Sequence, residues 1–319
     1  MDSQYRSTLF HIPFEVRDAI YSSLFSSTIL SFATSVPTDD ARLNKLQAPL
    51  HSTALLRTCR RANAEISKSW LSHVLFYFDD PMSLLDKLAP IPLEELSLIR
   101  YIFVRGDPLL LTYPPKIQVH HNLVGVLKLL PRLQLRQLTV LGSGSDKFQY
   151  RMLDELIKHG NGWQELRFIS HDSGMLGYAY YCLDPTLCDR YQRRPQPEHW
   201  QRVMEERDGV NSYPSVSIYR GKRAGHCGAV FKPETREVMA QSHNGAPFSV
   251  DDYGTAEDPV FISESERGKE LMVAVKRGQR GVDYEEKTNS PFLPGRDIRR
   301  DFPGKTWVEI RAACTKAAH

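Results

Sequence analysis

The chain has 319 residues, of which 41% are hydrophobic and 25% charged, and its net charge is +3. That length can bury a sizeable core, and that composition excludes wholesale disorder. A charge this small, with basic and acidic residues interleaved as in 202–208, excludes nothing on the surface except a strong electrostatic footprint for nucleic acid.

In chain order, the first element is a helix. Pro13 stands at its start, where a missing N–H costs nothing and the fixed φ is already helical. Val16, Ile20 and Leu24 follow at four-residue steps and make one apolar stripe. Phe10, Phe14, Tyr21 and Phe25 add apolar surface beside it. That is more than one intramolecular contact needs, and such an excess marks a partner surface. A second helix is expected over 55–70, with Leu55, Cys59, Ala62, Ile66 and Trp70 on one face and Arg57, Arg60, Arg61, Glu65 and Lys68 on the others. Pro90 and Pro92 end this helical module.

The pattern then changes to short strands preceded by helices. Residues 99–104, 135–141 and 165–169 read as strands, and 122–130 and 147–159 as the helices before the second and third. Leu138 and Leu166 are 28 residues apart, within the range of leucine-rich repeats; the longer step from Ile102 to Leu138 has its surplus around Pro108, Pro114 and Pro115. The strands are expected to be parallel and adjacent, whether as a short repeat or as a plain α/β layer. Ile102, Leu138 and Leu166 would then form one buried row, and Val104, Val140 and Phe168 a second. Thr139 and Arg167 would face the other way and tolerate alanine.

Beyond residue 177 the chain reads as a loop over 184–197 with Arg190, Arg193 and Arg194, then a helix over 200–207. Strand-like runs follow at 215–219 and 229–231, paired as a hairpin, and at 271–275. Residues 241–266 and 278–304 read as loops. A last helix over 307–316 would dock through Trp307, Ile310 and Cys314. The expected fold class is α+β: a helical module over 1–92, a leucine-rich-repeat-like helix–strand layer over 93–179, and an α+β extension over 180–319.

The one enzyme-like signal is Gly142-Ser143-Gly144 between a strand and a helix, the arrangement that cradles a phosphate or nucleotide. Lys147 stands where the third glycine of the dinucleotide pattern belongs, and no acid follows at the usual distance. The turn therefore reads as structural, with Ser145 or Asp146 capping the helix. A nucleotide-like ligand-binding enzyme is the alternative function. His120 and His121 point apart on a helix, while His226-Cys227 and Cys182 with Cys188 lack zinc spacing. His171-Asp172-Ser173 are sequence neighbours, which rarely form a triad, and no nucleophile elbow is present. No catalytic, cofactor-binding or metal-ligating residue is expected, and no cofactor.

The run 12–21, Ile-Pro-Phe-Glu-Val-Arg-Asp-Ala-Ile-Tyr, the run 55–60, Leu-Leu-Arg-Thr-Cys-Arg, and the aromatic run 75–78 together resemble the F-box-like proteins abundant in filamentous fungi. The similarity spans residues 9–78. Ile12 replaces the usual leucine before the proline, and 26–50 is inserted where an ordinary F-box has a short turn. The segments 162–170 and 195–200 also look like fungal relatives of this type. The resemblance implies a non-enzymatic interaction adaptor, the substrate-recognition subunit of a cullin–RING ubiquitin ligase. Ile12, Pro13, Val16, Ile20 and Leu24 would dock the ligase's small adaptor subunit, and the rest of the chain would hold a client protein.

Five scattered cysteines suggest no disulfide framework and a reducing compartment. Polar Asp2-Ser3-Gln4 does not begin a signal peptide, and the longest apolar runs fall short of the ~20 residues a bilayer helix needs. A cytoplasmic or nuclear protein without membrane or nucleic-acid partners is the expectation.

Overall fold

A computed structural model describes residues 8–32, 53–58, 60–113, 117–177, 180–181, 191–192, 198–239, 247–248, 268–278, 293 and 297–315. The strands in chain order are β1 (Ile29–Ser31), β2 (Leu75–Phe78), β3 (Tyr101–Arg105), β4 (Leu109–Tyr113), β5 (Ile117–His121), β6 (Leu135–Leu141) and β7 (Trp163–Ser170). They continue with β8 (Tyr180–Tyr181), β9 (Tyr191–Gln192), β10 (Ser215–Gly221), β11 (Arg236–Val238), β12 (Pro247–Phe248) and β13 (Leu271–Lys276). Eight of these form one sheet in the order β1-β2-β3-β6-β7-β13-β10-β11. The first five are parallel, and the last three attach antiparallel. The protein is a mixed α/β fold, and its topology alone does not single out an F-box or a leucine-rich repeat.

The register confirms the two predicted rows and extends them. Ile102 stands opposite Leu138 and Leu138 opposite Leu166, with Phe76 added on one side and Val275 on the other. Phe78, Val104, Val140, Phe168, Val273 and Ile218 make the second row. All are buried, because period-2 alternation puts both rows on the same side of the sheet. The helix Pro81–Leu88, started by Pro81 and capped by Asp80 on the Ser83 amide, covers this side with Leu84, Leu85 and Leu88. The helix Asp146–His159 adds Met152, Leu153, Leu156 and Ile157. Its last carbonyls are satisfied by Arg207, which donates to Ile157 O at 2.7 Å and to Gly160 O, and burial pulls that guanidinium down to about 10.

Several expectations need correction. The N-terminal region is not purely helical: β1 and the aromatic run 75–78 enter the sheet, since that run of large apolar residues can be buried on both faces. The sheet also crosses the boundaries placed at 92 and 179. The expected helix 55–70 is helical over Ala54–Thr58 and Arg60–Ile66 and ends short of residue 70, where Ser67 turns the chain with φ +47°. The Pro-rich segment contains a β4–β5 hairpin. Residues 229–231 form a 3-10 turn, and β10 pairs with β11 instead. Thr139 does face away from the helices, but it is buried there and accepts from Gln137 Nε2 at 3.0 Å.

The C-terminal part packs on the front of the chain. The helix Trp307–Thr315 buries Trp307, Ile310 and Cys314 as the sequence predicts, and Trp307 Nε1 donates to Asp86 at 2.8 Å. Asp297 is fully buried and meets Lys128 at 2.8 Å. Burial pushes its carboxyl up, but hydrogen bonds from Lys128 and the Leu293 and Arg299 amides prevail and hold it below the ordinary range. Cys59, Cys182, Cys188, the arginine loop of Arg190, Arg193 and Arg194, most of the 26–50 insert and most of 241–266 lie outside the described residues.

Candidate functional site

The helix Phe14–Ser26 is preceded by Pro13, whose φ is −53° and whose carbonyl accepts from the Arg17 amide. Its buried residues are Arg17, Tyr21 and Phe25, one helical face at four-residue steps. The predicted stripe lies one residue out of phase with that face and points outward. Val16 is 48% exposed, Ile20 43% and Phe14 48%. Pro13 is exposed, while Ile12 and Leu24 are half-buried at the margins of the patch. The five residues assigned to docking therefore surround one outward surface, with Phe14 as an addition.

What holds this helix in place is polar. Arg17 reaches across to the helix Arg60–Ile66 and donates to both carboxylate oxygens of Glu65, at 2.9 and 2.7 Å, and to Ile12 O at 2.6 Å. Tyr21 and Arg61 donate to the same carboxylate at 3.2 and 3.1 Å. Arg17 and Arg61 also lie over the Phe10 ring, at 5.7 and 4.7 Å from its centre. The bidentate Arg17 bond holds the Glu65 carboxyl below its ordinary value; burial, and then the Glu65 charge, push the Tyr21 hydroxyl up. Phe25 completes the anchor against Trp70, with ring centres 6.3 Å apart. The sequence reading places Glu65 on a polar face of its helix and gives Arg17 no role. The available signal was the phase: Arg17 falls on the line of Tyr21 and Phe25.

The glycine turn is built differently from a phosphate cradle. Gly106, Gly142 and Ser170 continue the apolar rows at the carboxyl ends of β3, β6 and β7. The helix Asp146–His159 comes down onto them: a side chain at Gly142 would collide with Gln149, and one at Gly106 would stand 2.6 Å from Met152 Sδ. The Gly142 amide donates to Ile169 O at 2.7 Å, and Gln149 Nε2 donates to Gly144 O at 3.1 Å. Gly144 alone of the pair has positive φ, +75°. The Ser145 side chain makes no cap bond.

The remaining candidates are dispersed. His120 is exposed and His121 buried against Tyr113, 2.9 Å from its hydroxyl; both lie on β5, where alternation rather than helical rotation separates them. Ser173 is fully buried, His171 is exposed, and Asp172 accepts from the Gly174 amide in the same bend. Among the described residues no three His, Cys, Asp or Glu side chains gather closely enough to hold a metal ion. No helix among them is long and apolar enough to cross a membrane. Comparisons with family models, curated proteins and solved structures find no match to this chain.

Proposed function

We propose that this protein is a non-enzymatic interaction adaptor, the substrate-recognition subunit of a cullin–RING-type ubiquitin ligase. Its F-box-like helix docks the small adaptor subunit through Ile12, Pro13, Val16, Ile20 and Leu24, and its leucine-rich-repeat-like sheet region presents a client protein. The observation that carries this reading is the inverted first helix, with its charge tucked inward and its valine and isoleucine turned to solvent. A contiguous apolar stripe on a helix whose other face is already anchored marks a place for a partner. The adaptor acts by proximity, raising the effective concentration of client for a reaction carried by another subunit.

The test is a binding measurement between the purified full chain and a purified small adaptor subunit of such ligases. Val16→Asp with Ile20→Asp places two charges in the contact, and at exposed positions it leaves the fold intact, checked by circular dichroism and melting. The expected result is binding by the parent and none by the folded double variant. A parent that does not bind, or a folded double variant that binds as the parent does, overturns the proposal.

A further inference from the structure

The side of the sheet away from the helices carries a different row. Tyr101, Gln137, Glu165 and Lys276 stand opposite one another on β3, β6, β7 and β13. With Arg136, Gln164 and Arg277 they border an open cavity of about 510 Å³ at the amino ends of the parallel strands.

Charge decides what this cavity takes. Four of its side chains are ionised, and two are already neutralised inside the protein. Glu165 is held by Arg167 at 2.6 Å, and Arg277 is buried against Asp208, which also accepts from the Gly278 amide at 3.1 Å. Arg136 and Lys276 have no carboxylate partner among the described residues, and both are exposed. Tyr101, Gln137 and Gln164 contribute neutral hydrogen-bonding groups between them. Pockets for small molecules are mostly apolar and enclose the ligand. This one is open, and each of its lining side chains ends in a polar group, which suits a stretch of polypeptide lying across the strand ends with its acidic side chains against the two cations.

We infer that this cavity is the client-recognition site and that it binds an acidic peptide segment. The inference rests on the adaptor reading for the word client, but the binding itself does not need the ligase. Arginine and lysine supply the attraction, and the glutamine amides pair with the peptide backbone.

The probe is a labelled, end-capped hexapeptide with two central glutamates among alanines, followed by anisotropy against the full chain. Binding is expected, weakening as ionic strength rises. The same peptide with glutamines, and the variant Arg136→Glu with Lys276→Glu, are each expected to bind at least tenfold more weakly. Arg136→Gln with Lys276→Gln gives the same direction should the reversed variant fail to fold. Absence of binding by the parent, equal binding of the glutamine peptide, or parent-like binding by folded variants overturns the inference. Free glutarate competing as well as the peptide also overturns it, since the site would then be one for small carboxylates. Val16→Asp with Ile20→Asp is expected to leave peptide binding unchanged, so loss of adaptor binding and loss of peptide binding are separate results.

Discussion

The helix-covered side of the sheet and the first helix are stabilised by opposite arrangements. On the sheet, large apolar side chains stack in two continuous rows under helices, and every member from β2 to β7 is fully buried or nearly so. On the first helix, a guanidinium–carboxylate pair is tucked inward while valine and isoleucine face solvent. The first arrangement is what folding alone favours. The second leaves apolar area in water, and it makes sense where another surface covers it.

The largest expected effect is in the sheet. Leu138→Ala removes a fully buried side chain from the middle of its row, and the expected loss is about 2–5 kcal/mol in denaturant melts. Arg167, half-buried on the opposite side and paired with Glu165, sets the contrast: Arg167→Ala is expected to stay within about 0.5 kcal/mol. Equal losses at the two positions would erase the distinction between the sides of the sheet.

A smaller effect is expected at Gly142→Ala. The new methyl group meets Gln149, a flexible side chain that must shift, and overpacking of this kind costs about 1–3 kcal/mol. Calorimetry of the parent with nucleotides is expected to show no heat of binding. Micromolar binding that vanishes in Gly142→Ala would instead make the turn a ligand site.

The smallest effect is local to the first helix and depends on pH. The Glu65 carboxyl is held below its ordinary value of 4.5, so the bond to Arg17 stabilises the fold above that pH and is lost as pH falls through the depressed value. Glu65→Gln is therefore expected to melt below the parent at neutral pH, with the gap narrowing progressively under about pH 4.5. A gap that stays constant into acid would show that the carboxylate charge is not what anchors the helix.

Much of the fold was legible because alternation and spacing are local. The limits of β6, the rows through Leu138 and Val140, and the docking face of Trp307, Ile310 and Cys314 follow from period-2 and helical patterns within a few residues. The exposed stripe was also legible as a stripe, since Val16, Ile20 and Leu24 repeat at four-residue steps. What turns it outward was not: the Arg17–Glu65 bond, spanning 48 residues, together with the burial of Tyr21 and Phe25, fixes the neighbouring face of the helix inward.

What the sequence determined by itself is therefore the secondary structure of the central strands and which residues share a face. Both depend on backbone geometry and the nearest neighbours. The tertiary structure alone decided that β13 inserts between β7 and β10, which brings Lys276 beside Glu165 across more than a hundred residues. It also decided that β1 and β2 join the sheet and that Gln149 fills the glycine turn. Strand order and side-chain occupancy of a turn depend on long-range packing, where many apolar segments of similar strength compete and no local period distinguishes them.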